Sequence, residues 1–139
     1  MRTVEEMLAA KGPDVIVAPP EASVLEAAKL MAQARVGSVV VQQDGQALGI
    51  FTEQDLLRRI VVVKKEPAAT RLSDVMSAPV QTCRLADDLD TCARQMSRKN
   101  VRHLAVVEDN TLLGLISLWD ILLDRVATQP TPVQTEPKK

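Results

Sequence analysis

The apolar positions of the chain change period several times, and they do so twice in the same order. Val4, Met7 and Leu8 share one helical face, and Leu72, Val75 and Met76 repeat that pattern before the second half. Each set predicts a short helix leading into its repeat. Val15-Ile16-Val17 reads as a short buried strand, stopped by Pro19-Pro20. Ser23-Val24-Leu25-Glu26 has the form of a capping box, with Val24, Ala27, Ala28 and Met31 at helical spacing, so a helix is expected to about Arg35. Asp88 holds the matching cap position ahead of Leu89, Cys92, Ala93 and Met96. Each half then has two apolar runs joined by a turn signal. Val39-Val40-Val41 and Ala47–Phe51 flank Asp44-Gly45, and Leu104–Val107 and Leu112–Ile116 flank Asp109-Asn110. A second amphipathic stretch closes each half, carrying Leu56, Leu57 and Ile60 or Ile121, Leu122 and Val126.

Where the last strand meets that closing helix, the halves share a heptad. Gly49-Ile50-Phe51-Thr52-Glu53-Gln54-Asp55 and Gly114-Leu115-Ile116-Ser117-Leu118-Trp119-Asp120 both read Gly, two apolar residues, a hydroxyl, two variable residues and Asp. They lie 65 residues apart, and that register holds without a gap from Val15/Val80 to Val61/Val126, with 11 identities in 47 aligned positions. An internal repeat follows. The expected fold is α+β, two β-α-β-β-α repeats. A half of roughly 50 residues buries too little surface to be secure alone, so the repeats should pack face to face about a pseudo-twofold axis. The expected boundaries are 1–63 for the first repeat, 64–71 for a linker and 72–127 for the second repeat. Residues 128–139, with three prolines and no periodicity, read as a disordered tail.

Composition removes several function classes. The formal net charge of −1 comes from 17 basic and 18 acidic residues, so no global field favours nucleic acid or an anionic membrane. One Phe, one Trp and no Tyr leave no stacking platform for single-stranded nucleic acid. No apolar run approaches membrane-spanning length, and the first residues do not resemble a signal peptide, so a cytoplasmic location is expected. Cys83 and Cys92, nine apart and without a paired His, read as small core residues. No nucleophile sits beside a base, no metal-ligating cluster is spaced for an ion, and Gly-Lys-Ser or Gly-Lys-Thr is absent. The expectation is a binding protein rather than an enzyme.

Hydroxyl and Asp three apart at a helix start are explained by a capping box with Asp in place of Glu, and a single occurrence would need nothing more. The glycine ahead of each helix adds context, because backbone amides and the macrodipole there favour an anion. An acid in the first turn suits a ribose diol, the role acids play in dinucleotide folds. Hydroxyl for phosphate and carboxylate for ribose together describe a nucleotide site.

The order of elements, the repeat, the two heptads, Val36-Gly37-Ser38-Val39-Val40-Val41 and Val101-Arg102-His103-Leu104 together resemble a pair of CBS (cystathionine β-synthase) domains, a Bateman module, over about residues 3 to 126. The resemblance implies adenosine-containing ligands (AMP, ADP, ATP, NAD or S-adenosylmethionine) in two clefts between the repeats. It places ribose on Asp55 and Asp120 and phosphate on Thr52 and Ser117, with Arg102 and His103 as cationic partners. For the adenine it implies main chain at Ile16, Val36 and Gly37 in the Asp120 cleft, and at Gln81 and Val101 in the Asp55 cleft. Gly37, without a β-carbon, lets a planar ring approach. Lys11, Arg58 and Arg59 are second-line cations that read as solvated. Trp119 and Gln54 depart from the family pattern; Trp119 is expected at a cleft rim or an interface. Surplus apolar residues on the closing helices predict a homodimer, and the role implied is regulatory, through a partner protein that reads the bound state. The alternative is an interaction module with empty clefts.

Overall fold

The computed structural model describes residues 2–128. Its elements are α1 (Val4–Lys11), β1 (Val17–Ala18), α2 (Val24–Ala34), β2 (Ser38–Gln43), β3 (Gln46–Thr52) and α3 (Glu53–Leu56), the last continuing as a π-turn over Leu57–Val61. The second half repeats them as α4 (Leu72–Val75), β4 (Thr82–Cys83), α5 (Leu89–Lys99), β5 (His103–Glu108), β6 (Thr111–Ser117) and α6 (Leu118–Thr128). The fold is α+β, with two three-stranded sheets ordered β1-β2-β3 and β4-β5-β6. In each sheet the short first strand runs parallel to the second, and the second pairs antiparallel with the third. The tail expected from residue 128 lies outside the described residues after Thr128, which closes α6.

Local chemistry sets these boundaries. Ser23 and Glu26 form the reciprocal capping box that starts α2, and Asp88 caps α5 through the Thr91 amide at 2.7 Å. α2 and α5 stop at Arg35 and Asn100, both left-handed. The hairpin turns Asp44-Gly45 and Asp109-Asn110 carry positive φ at both central residues, which the two-residue turn requires. The first strand is shorter than Val15–Val17 suggested. Pairing with β2 begins at Val17, and Ile16 contributes only its carbonyl, to the Val40 amide.

The leading helices do not pack against the repeats they precede. Val4, Met7 and Leu8 of α1 are buried among Leu89, Cys92, Met96, Leu104, Ile116 and Ile121 of the second half. Leu72 and Val75 of α4 are buried among Val24, Ala27, Met31, Val39, Val41 and Phe51 of the first. Backbone bonds fix this exchange: Val4 donates to Asp87, Leu89 to Arg2, Val24 to Thr70 and Leu72 to Ala22. Helical spacing identifies the buried face of α1 but not the surface that covers it. Between the sheets, Ile50, Val80 and Ala105 form a third apolar cluster. Cys83 and Cys92 are buried free thiols. No helix among the described residues is long and apolar enough to cross a membrane.

A cleft between the repeats at Asp120

The exchange of leading helices sends residues 11 to 16 across the junction of the repeats, and a cleft of ≈ 890 Å³ opens there. From the second repeat it is lined by Ser117, Asp120, Arg102 and His103, and from the first by Ile16, Val36 and Gly37. The structure therefore brings together the five residues expected for the Asp120 site and adds Arg102 and His103, which the sequence assigns to neither cleft. Trp119, 65% exposed, stands on its wall. Lys11, Asp14 and Glu53 also line it.

Asp120 sits in the first turn of α6. Its Oδ2 accepts from the Ser117 amide at 2.8 Å, and the Asp120 amide donates to Ser117 Oγ at 3.0 Å, the reciprocal cap. Lys11, which the sequence presents as a solvated cation, reaches across instead. Its Nζ donates to Asp120 Oδ2 at 2.8 Å and to the Leu115 carbonyl at 2.9 Å. The Ser117 amide and Lys11 both bond Oδ2, so Oδ1 has no protein donor among the described residues and is free for a diol. Arg102 is held at the head of α6 by its carbonyl, which accepts from Leu118 N at 2.8 Å. Its guanidinium has no ion pair or hydrogen bond among the described residues, which suits an incoming anion. Burial pushes the His103 imidazole below its ordinary value; nearby Asp120 opposes this, and Lys11 and Arg102 add to it. His103 is therefore neutral at pH 7, with a hydrogen-bonding ring rather than a charge to offer.

On the opposite wall, Glu53 opens α3 with its amide on the Gly37 carbonyl at 3.0 Å. A β-carbon on Gly37 would fall 2.5 Å from Glu53 Oε1, so the space left by the glycine holds that carboxylate.

The same heptad in the first half makes a different object. Asp55 Oδ2 accepts from the Thr52 amide and hydroxyl at 3.0 and 3.2 Å, while Oδ1 accepts from Ser77 Oγ at 3.0 Å and pairs with Arg59 at 3.7 Å. Arg59, expected in solvent, also donates to the carbonyls of Val75 and Met76. The chain after α4 lies along β3, with Ser77 and Ile50 exchanging backbone bonds at 2.8 and 2.9 Å. A β-carbon on Gly49 would meet Met76 Sδ and the Ser77 carbonyl, both at 2.8 Å. Thr52, Asp55, Gln81 and Val101 do not line the Asp120 cleft. The Gln81 carbonyl accepts from Ala105, and Val101 packs on the second-half core.

Segment length separates the two halves. Thr3 caps α1 and bridges Asp88, while Arg71 precedes α4 and bridges Ser23. From Thr3 to Val15 is 12 residues, and from Arg71 to Val80 is 9. The first segment is three residues longer, and its helix α1 runs eight residues, to Lys11, against four in α4. That difference is visible in the sequence once the leading helices are aligned on Val4 and Leu72.

The family model for the CBS domain matches residues 5–62 and again residues 72–125. An uncharacterized protein of Methanopyrus kandleri is 35% identical over 111 residues, 78% of this chain and 57% of that relative, so the chain spans little more than half of its length. Among solved structures, a CBS-domain containing protein from Agrobacterium tumefaciens superposes with a TM-score of 0.83 at 33% identity, covering 89% of this chain and 99% of that one. A CBS domain protein from Pyrobaculum aerophilum, complexed with AMP, superposes with a TM-score of 0.78 at 26% identity over 91% of this chain and all of its own. No catalytic family is indicated. The chain belongs to the CBS-domain family, with one CBS domain in each half.

Proposed function

We propose that the chain is a regulatory module that binds an adenosine-containing ligand in the Asp120 cleft and transmits occupancy as a change in the packing of its repeats. The observation that carries this reading is the convergence of Asp120, Ser117, Arg102 and His103 from one repeat with Ile16, Val36 and Gly37 from the other around a single cavity. Asp120 Oδ1 takes the ribose hydroxyls, and Ser117 and Arg102 take a phosphate. The apolar end at Ile16, Val36 and Ala34 takes the base. The AMP complex of the Pyrobaculum aerophilum relative supports this ligand class. On the first-half side, Asp55 and Thr52 serve as a structural cap, with Gln81 and Val101 as packing residues.

Thermal unfolding with AMP, ADP, ATP, NAD and S-adenosylmethionine tests the reading. A ligand at 100 times its dissociation constant stabilises by about 2.7 kcal/mol. A shift with at least one ligand that Asp120→Ala removes is the expected result, and the absence of any shift across the set contradicts it.

An interaction role is favoured by a separate observation. Leu57 and Val61 of the first half are 56% and 60% exposed, and their counterparts Leu122 and Val126 are 42% and 71% exposed. An apolar face of this kind suits a second copy of the chain. A homodimer by light scattering at micromolar concentration is the expected result, and a monomer there contradicts this second reading.

A further inference from the structure

The cleft is lined by charges of both signs. Lys11, Arg102 and His103 gather at the end formed by Ser117 and Asp120, whereas Glu53 and Asp14 line it from the first repeat. Neither Glu53 nor Asp14 has a side-chain hydrogen bond or ion pair among the described residues. Glu53 is the better placed, because it opens α3 beside Gly37 and its carboxylate occupies the space that a β-carbon would fill. This exposed carboxylate, beside Val36 and Gly37 and without a protein donor among the described residues, can accept a hydrogen bond from a ligand in the cleft.

We propose that Glu53 is the base-reading residue of this cleft, its carboxylate accepting a hydrogen bond from the exocyclic amine of a 6-aminopurine and excluding 6-oxopurines. The inference rests on the reading of the cleft as an adenosine site and deepens it by naming the residue that reads the base. Orientation follows from the charges: a phosphate is drawn to the unpaired Arg102, which leaves the planar base for the wall of Ile16, Val36 and Gly37. There the 6-amino group of adenine is a donor to the carboxylate. The 6-oxo group of hypoxanthine or guanine would present an acceptor to an acceptor, a repulsive contact of the kind that creates specificity. AMP and IMP carry the same phosphate charge, so their ratio reports the base alone.

Calorimetric titration of AMP and IMP into the full chain tests this, with Glu53→Gln, Glu53→Ala and Asp14→Asn as variants. All three changes are at exposed positions. Wild type should bind AMP about 10-fold tighter than IMP, the order expected when a polar contact is replaced by a mismatched one at a partly exposed site. Glu53→Ala should bring the two within about 3-fold, and Glu53→Gln, whose amide can donate to the 6-oxo group, should do so by improving IMP. Asp14→Asn removes the same charge from the lining of the same cleft and should leave the ratio unchanged. Equal binding of AMP and IMP by wild type, a ratio untouched by either Glu53 change, or an equal shift from Asp14→Asn overturns the assignment while leaving the nucleotide site standing. Binding of neither nucleotide overturns both.

Discussion

Asp55 and Asp120 occupy the same place in the same heptad, at the start of equivalent helices, and both cap their own turn through a hydroxyl three residues earlier. Their surroundings differ in one respect. Behind Asp55 the chain follows β3 and sets Ser77 on the second carboxylate oxygen, leaving the side chain 11% exposed. Behind Asp120 a longer helix delivers Lys11 to the oxygen the cap already uses, and the side chain stays 23% exposed on an open cleft. A carboxylate in this motif is a cap by default. In this chain the second oxygen is filled at Asp55, where Ser77 follows the short α4, and left without a protein donor at Asp120, where the longer α1 brings Lys11 to the oxygen already used by the cap.

The largest expected effect on the stability side of this comparison comes from Asp55→Ala. It removes the N3 half of the Thr52 capping box, worth up to about 1 kcal/mol, and leaves the half-buried Thr52 and Ser77 donors unmatched at about 1–3 kcal/mol. Urea unfolding should register a loss of about 2–4 kcal/mol in total, and a loss below about 1 kcal/mol would show that Asp55 does not serve as a structural anchor. The glycines come next. Gly49→Ala forces a methyl onto the Ser77 carbonyl at 2.8 Å and should cost about 1–3 kcal/mol, whereas Gly114→Ala meets only the flexible end of Leu8 at 3.0 Å and should cost less. Equal costs would mean that the two heptads are packed alike.

Lys11→Met should change stability by less than about 1 kcal/mol, because the pair with Asp120 is partly exposed at both ends. A larger loss would make Lys11 a structural strut like Ser77. The smallest effect is one of pH. Burial holds the His103 imidazole below its ordinary value, so the unfolded chain binds the proton first as pH falls. The stability His103 contributes is complete above about pH 6.5 and is lost below it. Chemical unfolding at several pH values should show a shallower fall between about pH 7 and 5.5 in His103→Gln than in wild type. Parallel curves would contradict a neutral His103.

Much of this was legible before any coordinates. Ser23 with Glu26, Asp44-Gly45 and Asp109-Asn110 are local signals whose physics is complete within four residues, and each marks its cap or turn. The alignment of Asp120 with Ile16, Val36 and Gly37 came through the family resemblance, and the cleft brings those residues together. What local pattern could not carry was partner choice. The apolar face of α1 is plain at Val4, Met7 and Leu8, yet nothing in its spacing tells that it covers Cys92 and Ile121 rather than its own repeat. Lys11 and Ser77 escaped for the same reason, since their roles depend on where an exchanged helix ends. Glu53 reads as an ordinary first-turn acid until Gly37 is seen beneath it.

The number of nucleotides bound per chain tests the difference between the two heptads most directly. Calorimetric titration with AMP should give one site per chain, retained in Asp55→Asn and lost in Asp120→Ala. Two sites per chain, or a single site that disappears with Asp55 and survives the loss of Asp120, would contradict the account.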